Sequence, residues 1–350
     1  MNLIRKISQS FDKFKTKYYT RYLYYKKLKS LTPGKESIEL SKTEIDSLEI
    51  SVKVGCGMYC DYCPQDSYIK NFKENYQNQE RTLSKETFEK VFQNVPNTTL
   101  IKWTGFTEPM GIPEFPKFVE YLADKGYTQD ISTTLSGVKE SQIWFSKNVN
   151  LFNRITLHLP DNKKLMKCNV SELYLTVFRE TLEHSFSFGW DDSRMVLFLI
   201  GDDFHPQVKE IIDEFLNNGK LKPVQIHKAE VLNTRNSNIE LNKLNLENVT
   251  MREFQREKEA TKNNIQYYCS YRRLNQGVLL PNGKVALCCQ DYNLDYIVGD
   301  LKTESLTDLY KKIESNEDMF NDFKNGKFFP CTKCEHYVTT DNSFSGHLRK

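Results

Sequence analysis

Short apolar runs alternate with amphipathic stretches through residues 48–228 of this 350-residue chain, and this alternation is the feature that most constrains its fold. Six runs have the length and content of strands: 48–54, 99–104, 130–135, 154–159, 194–200 and 223–228. Five helical patterns lie between them: 85–95, 114–125, 139–148, 171–183 and 206–218. Strands and helices in alternation predict an α/β domain with a parallel sheet. Ligands of such a domain bind at the carboxyl ends of the strands, whether the sheet is open or closed into a barrel.

The nine cysteines are unevenly distributed along the chain. Most lie in groups, whereas Cys168 stands alone. The sequence has no run of roughly 18 apolar residues and no apolar signal-peptide core at its N terminus, so we expect a cytoplasmic protein. In that reducing compartment, grouped cysteines indicate metal ligation before disulfides.

The N-terminal segment is basic. Residues 1–31 hold nine Lys or Arg and a single acidic residue, Asp12, although the formal charge of the whole chain is only +3. The remaining residues are acidic on balance, which argues against a nucleic-acid partner. Apolar residues recur in the segment at helical spacing: Ile4, Ile7, Phe11, Phe14, Tyr18, Tyr22 and Tyr25. This amphipathic helix either contacts anionic lipid at the inner face of the membrane or packs its aromatic stripe on the rest of the protein.

Changes in composition predict four segments. The basic helix occupies residues 1–45, and the α/β domain occupies 46–240. A polar and charged linker follows at 241–265. The last segment, 266–350, is small, contains cysteines and is rich in turn signals such as Pro281-Asn282-Gly283.

Three cysteines directly follow the first predicted strand, at Cys56, Cys60 and Cys63. Three thiolates in one short loop can ligate three irons of a 4Fe–4S cube, and the loop has no fourth cysteine. One iron is therefore left open, as catalysis at a metal requires, whereas a structural zinc site is closed by four protein ligands. The spacing indicates a catalytic iron–sulfur centre.

The loop resembles the signature of the radical S-adenosylmethionine (SAM) superfamily, C-x3-C-x-aromatic-C, with Tyr62 at the aromatic position. The resemblance implies a partial (β/α)6 TIM-like barrel in which the three cysteines hold a 4Fe–4S cluster. It also implies that SAM chelates the open iron and that Tyr62 packs near its adenine.

Further segments resemble SAM-binding positions of that family. Residues 104–109 are similar to a Gly-Gly-Glu-Pro segment that receives the amino group of SAM, with Thr107 in place of a glycine. The ends of the third and fourth strands match positions of ribose and carboxylate contacts in that family. His158 lies at the end of the fourth strand, where a histidine is as often structural as functional. The implied SAM contacts are Gly105, Thr107, Glu108, Ser132, Thr134, His158 and Asp161.

The C-terminal cysteines form a second set: Cys269, Cys288, Cys331 and Cys334. Spacing alone is compatible with zinc or an iron–sulfur cluster. The set resembles the auxiliary-cluster domain of the SPASM/Twitch group of radical SAM enzymes, including the stretch Gly299-Asp300-Leu301 before a helix at 305–312. The resemblance implies the shortened, single-cluster Twitch form, with one auxiliary 4Fe–4S cluster ligated by all four cysteines.

For three further residues, the sequence gives a less specific indication of function. Cys289 directly follows a predicted ligand and is a candidate hydrogen-atom donor, a swapped ligand or a buried apolar residue. Cys168 has the same alternatives with less positional support. His336, close to Cys334, is more often a surface residue than a ligand.

Together these features predict an enzyme that cleaves SAM reductively to a 5′-deoxyadenosyl radical, with a low-potential electron donor such as flavodoxin or ferredoxin. The radical would abstract hydrogen from a carbohydrate or glycan-linked substrate, because size and single-cluster design resemble the aminocyclitol dehydrogenase type. Dehydrogenation is favoured over epimerisation, since a fully cysteine-ligated cluster can accept the second electron.

Two other functions remain open. One is modification of a peptide, although 47 residues before Leu48 are too few for a leader-binding domain. The other is a non-enzymatic, zinc-stabilised binding module with two cysteine sites.

Overall fold

The computed structural model describes residues 46–61, 63, 65–189, 194–229, 267–269, 276–289, 291–316 and 337–339. The predicted N-terminal helix and linker lie outside these residues, as do Tyr62, Cys331, Cys334 and His336. Across the described part of the chain, no helix has both the length and the apolar character that a membrane span needs.

Eleven strands are described, most of them in one sheet. They are β1 (Ser47–Ile50), β2 (Leu100–Trp103), β3 (Gln129–Thr133), β4 (Arg154–Leu159), β5 (Met195–Ile200), β6 (Ile226–Ala229), β7 (Tyr267–Cys269), β8 (Gln276–Leu279), β9 (Lys284–Ala286), β10 (Ile297–Asp300) and β11 (Tyr337–Thr339). Seven α-helices accompany them: α1 (Gln65–Asn75), α2 (Lys85–Val91), α3 (Phe115–Asp124), α4 (Lys139–Lys147), α5 (Glu172–Ser187), α6 (Pro206–Asn217) and α7 (Leu306–Glu314).

Strand order distinguishes the two α/β architectures that the sequence allows. The nine-stranded sheet runs β10-β9-β8-β1-β2-β3-β4-β5-β6, and β1 to β6 are parallel, each beside the next in sequence. A doubly wound sheet reverses its order at a switch point, whereas a β/α barrel does not. The α/β class with a parallel sheet is therefore confirmed, in the sequential order of a partial (β/α)6 barrel.

The two faces of the sheet differ in polarity. Along β3, β4 and β5, buried residues such as Ile131, Leu157 and Leu197 alternate with half-buried ones. The buried set packs with the helices into the main core. The half-buried set includes Ser132, Thr156, His158 and Phe198, because side chains alternate between the two faces of a strand. A polar, partly accessible face therefore leads up to the carboxyl ends of the strands.

The C-terminal hairpin continues the same sheet. Strand β8 pairs with β1 in parallel, and β9 and β10 extend the sheet with antiparallel pairing. A separate two-stranded sheet pairs β7 with β11, with Cys269 opposite Tyr337. The turn signal at Pro281-Asn282-Gly283 lies between β8 and β9, as expected for a hairpin. The pairings of β8 with β1 and of β7 with β11 join segments far apart along the chain, and the sequence did not predict them.

Helix α7 is anchored to this junction by one phenol. The hydroxyl of Tyr310 donates to the Ser47 carbonyl at 2.5 Å and accepts from the Gly277 amide at 2.9 Å. The side chain is buried, so both hydrogen bonds are shielded from water. Tyr310 thus connects α7 to both β1 and β8.

We expect Tyr310→Phe to lower the free energy of unfolding by about 1–3 kcal/mol, because it removes two buried hydrogen bonds. Urea denaturation measures the change. In the matched control, Tyr121→Phe, we expect a change within about 0.5 kcal/mol, since Tyr121 is only partly buried. Equal effects of the two substitutions would contradict the anchoring role.

Candidate functional site

The loop with the first three cysteines begins at Gly55, two residues after an isolated β-bridge between Lys53 and Thr82, and turns sharply. Gly55 and Gly57 have φ of +90° and +82°, and Tyr59 has φ of +52°. Positive φ is readily adopted by glycine and rarely by other residues. The alternating positive values curl the backbone, so that Cys56, Cys60 and Cys63 come from a single compact loop.

Gln65, the first residue of α1, fixes the start of this loop. Its side-chain oxygen accepts from the Cys56 amide at 3.2 Å, and its amide nitrogen donates to the Phe106 carbonyl. At the other end of the loop, the Cys63 amide donates to the Cys60 carbonyl at 3.0 Å. Sequence analysis missed Gln65; its signal was only its position at a helix start beside the cysteines.

The three thiols interact electrostatically. The pKa of Cys56 is raised to about 12, chiefly by burial and also by the Glu108 carboxylate and the thiols of Cys63 and Cys60, while a hydrogen bond from the Glu108 backbone opposes the shift. Thiolates in such a place need a cation to balance their charge. No three His, Cys, Asp or Glu side chains in the described ranges are grouped as ligands of one ion. Cysteines that bind a 4Fe–4S cube ligate separate irons, and ligation of such a cluster by this loop stays a prediction.

Glu108 connects the segment after β2 to the end of β3. Its carboxylate accepts from the Thr133 hydroxyl at 2.5 Å, from the Thr134 amide at 2.8 Å and from the Thr134 hydroxyl at 2.7 Å. It also accepts from the Met110 amide at 3.3 Å. The carboxyl group is buried, and this burial raises its pKa while the hydrogen bonds oppose the shift.

The segment before Glu108 passes close to β1. Gly105 has φ of +84°, and a Cβ there would lie 2.5 Å from the Ser51 hydroxyl oxygen. That hydroxyl accepts from the Phe106 amide at 2.7 Å. The hydroxyl of Thr107 is buried and has no hydrogen-bond partner among the described residues. A buried hydroxyl without a partner is costly, so it indicates a place for a polar ligand atom.

The predicted contacts on β3 and β4 lie in different surroundings. The Thr134 hydroxyl is 3.4 Å from the Met58 sulfur, so the end of β3 contacts the cysteine loop. Ser132 is on the half-buried face of β3. His158 is half-buried on β4, with its ring centroid 5.0 Å from that of Phe198.

Asp161 organises the loop that follows β4. One carboxylate oxygen accepts from the amides of Lys163 at 2.8 Å and Leu165 at 3.1 Å, and the other accepts from the amide of Met166 at 2.9 Å. The side chain is buried. Its acceptor capacity is therefore largely used within the protein, and a contact with SAM stays a prediction.

The C-terminal cysteines are only partly described. Cys269 is the last residue of β7, and β11 lies beside it. Cys288 and Cys289 follow β9 and are half-buried. Cys289 and Cys63 both pack against one apolar cluster, here called the aromatic bridge: Tyr68, Phe72, Phe106, Val278, Leu280, Ala286, Tyr292 and Leu294. This cluster borders both cysteine-containing segments.

Comparisons with known proteins agree with the C-terminal prediction. Residues 269–335 match the model of the SPASM family, an iron–sulfur cluster-binding domain. This match confirms the predicted SPASM-type domain and its iron–sulfur cofactor. No curated protein gives a significant match to the sequence.

Three solved structures resemble the fold at low sequence identity. BtrN in complex with AdoMet and 2-DOIA is 12% identical, with a TM-score of 0.42 over 84% of this chain and 92% of that chain. Native anSMEcpe with bound AdoMet is 15% identical, with a TM-score of 0.43 over 83% and 86%. SuiB of Streptococcus suis is 13% identical, with a TM-score of 0.44 over 83% and 70%.

Cluster content tests the two cysteine sets. We expect the reconstituted protein to hold about eight irons and as many sulfides, and Cys56→Ala/Cys60→Ala/Cys63→Ala to retain about four, because the C-terminal set is intact. Iron and sulfide analysis after anaerobic purification measures both. Zinc without sulfide in the unaltered protein would contradict both assignments.

Asp161→Asn tests whether that carboxylate is structural. We expect it to lower the free energy of unfolding by about 1–3 kcal/mol, since an amide cannot accept all three backbone bonds. Asp202→Asn is the control, because Asp202 is exposed and forms only a surface ion pair, worth roughly 0–1 kcal/mol. Unchanged stability with weakened SAM binding would instead assign Asp161 to the ligand.

Proposed function

We propose that this chain is a radical SAM enzyme that cleaves SAM reductively and abstracts a hydrogen atom from an organic substrate. The observation that carries the proposal is the cysteine loop at the carboxyl end of β1. It supplies three thiols and no fourth, and it lies against Glu108 and Thr134 at the ends of the neighbouring strands. A cluster held there would have one iron open toward the carboxyl edge of the sheet, where α/β proteins bind ligands.

The bound cluster supplies the electron that breaks a carbon–sulfur bond of SAM; the residues of the chain bind, orient and shield the reactants. The backbone of 105–107 and the unpartnered Thr107 hydroxyl are suited to the amino group of SAM. Glu108 then holds this segment in place through its bonds to β3. Ser132, Thr134 and His158 are proposed to contact the rest of the molecule, and Tyr62 its adenine.

We further propose a carbohydrate or glycan-linked substrate, bound over the polar face of the sheet. The half-buried Thr156 offers a hydroxyl, and Phe198 beside His158 offers a ring face to a sugar. The supporting argument for dehydrogenation is the SPASM domain, whose cluster can take up the second electron. Flavodoxin or ferredoxin is the proposed source of the first.

The proposed setting is the cytoplasm, with the basic segment 1–31 as a peripheral contact to anionic lipid. Its charge and its aromatic stripe support this contact. The four predicted segments 1–45, 46–240, 241–265 and 266–350 remain the proposed organisation of the chain.

Product analysis tests the reaction type. We expect SAM and titanium(III) citrate to give 5′-deoxyadenosine with the cluster-loaded protein, and none with Cys56→Ala/Cys60→Ala/Cys63→Ala, which lacks the open iron. Liquid chromatography with mass detection measures the nucleoside. Transfer of the methyl group of SAM without deoxyadenosine would contradict the radical reaction even if the clusters are present.

A further inference from the structure

The loop between β4 and α5 is fixed against the cysteine loop. Asp161 binds three of its backbone amides, as described above. The Asp61 amide, next to Cys60, donates to the Leu165 carbonyl at 2.9 Å, and Lys167 forms an ion pair with the Asp61 carboxylate at 2.8 Å. Cys168 directly follows Lys167 in this loop, so its position is tied to the proposed cluster site.

The thiol of Cys168 contacts the residues that follow β3. Its sulfur lies 3.1 Å from the Ser136 hydroxyl oxygen, and the Ser136 amide donates to the Thr134 hydroxyl at 3.3 Å. Thr134 in turn contacts both Glu108 and Met58. Hydrogen-bonded neighbours thus connect Cys168 to the proposed SAM segment and to the cysteine loop.

The electrostatic surroundings of Cys168 agree with this position. The pKa of its thiol is raised to about 11, chiefly by burial and also by the Glu108 carboxylate and the Cys60 thiol, against the hydrogen bond with Ser136. At neutral pH the group keeps its proton. A thiol can give up a hydrogen atom, whereas a thiolate has none to give.

A second, independent feature indicates that a ligand belongs here. The hydroxyl of Tyr174 on α5 is buried and has no partner in the described part of the chain. It interacts electrostatically with Cys168 and Glu108. This hydroxyl is therefore a buried polar group within electrostatic range of Cys168 that a bound molecule could satisfy.

We propose that Cys168 is a catalytic residue of this site, the thiol that donates a hydrogen atom to a carbon radical formed there. The proposal rests on the proposed cleavage of SAM. It assigns to Cys168 the role of hydrogen-atom donor, for which position in the sequence favoured Cys289. Both thiols pack against apolar clusters, Cys289 against the aromatic bridge and Cys168 against the main core.

The proposed donation transfers one hydrogen atom from sulfur to carbon. The S–H bond of Cys168 breaks homolytically and a C–H bond forms at the carbon radical, which leaves a thiyl radical on the sulfur. One electron from the low-potential donor and one proton from water restore the thiol. If the acceptor is a substrate radical attacked on its opposite face, the product is an epimer of unchanged mass, so this thiol makes epimerisation available beside dehydrogenation.

The test needs no knowledge of the substrate. With SAM and titanium(III) citrate alone in heavy water, the thiol exchanges to S–D, and the 5′ radical takes its hydrogen from the nearest donor. We expect deoxyadenosine with one deuterium from the unaltered protein, and loss of that deuterium in Cys168→Ala and in Cys168→Ser. The serine variant can keep the contact with Ser136 but has too strong an O–H bond to donate, which separates donation from packing.

The outcomes distinguish the two proposals. Absence of deoxyadenosine from the unaltered protein contradicts the proposed function itself. Deoxyadenosine whose deuterium persists in both Cys168 variants contradicts only the role of Cys168, and loss of deuterium in Cys289→Ala instead would assign the donor to that residue.

A second measurement is independent of turnover. In the oxidised, cluster-loaded protein without reductant, we expect SAM to slow the alkylation of Cys168 by N-ethylmaleimide, measured by peptide mass spectrometry at raised pH. An equal rate with and without SAM would place Cys168 away from the site and overturn the proposal.

Discussion

The buried carboxylate of Glu108 is the interaction on which the geometry of the site depends. Four donors from β3 and from the turn after β2 converge on it, and they compensate for the removal of a carboxyl group from water. Through Thr134 the same network contacts Met58 in the cysteine loop. The segments that follow β1, β2 and β3 are therefore held in fixed positions relative to one another. A cluster and its ligand need such fixed positions, because catalysis depends on placement within fractions of an ångström.

The C-terminal segment is joined to this site through the sheet and through the aromatic bridge. Pairing of β8 with β1 places the hairpin beside the strand that leads into the cysteine loop. Ring centroids of Tyr68 and Phe106 are 4.8 Å apart, and those of Phe106 and Tyr292 are 4.7 Å apart. Phe106 precedes the Thr107–Glu108 segment, so packing of the hairpin loop directly supports the residues proposed to receive SAM. Changes in one cysteine-containing segment would therefore be transmitted to the other by contact.

The sequence predicted the elements of the fold better than the contacts between them. Strand and helix alternation is a local pattern, and it gave β1 to β6 and the class of sheet. Helix α1 was missed because its buried residues, Tyr68 and Phe72, are few among polar neighbours. The pairing of β8 with β1 depends on backbone groups of distant segments, and the local periodicity of apolar residues carries no information about such pairing. Likewise, the resemblance to a family motif predicted that Asp161 contacts SAM. The three-dimensional structure shows instead that its carboxylate accepts hydrogen bonds from three backbone amides of its own loop.

The two unassigned thiols illustrate the same limit at the level of chemistry. Position in the sequence favours Cys289 as the hydrogen-atom donor, because Cys289 adjoins a predicted cluster ligand. It gives little support to Cys168 in that role. In three dimensions, the Asp161 loop brings Cys168 to Ser136, into the electrostatic range of Cys60 and Glu108. Hydrogen-atom transfer requires direct approach of the donor to the radical carbon, so spatial position outweighs adjacency to a ligand. In the proposed reaction, the fate of a substrate radical would depend on which is faster: electron transfer toward the C-terminal cluster or hydrogen return from Cys168. The orientation of the proposed substrate over the polar face would then decide between dehydrogenation and epimerisation.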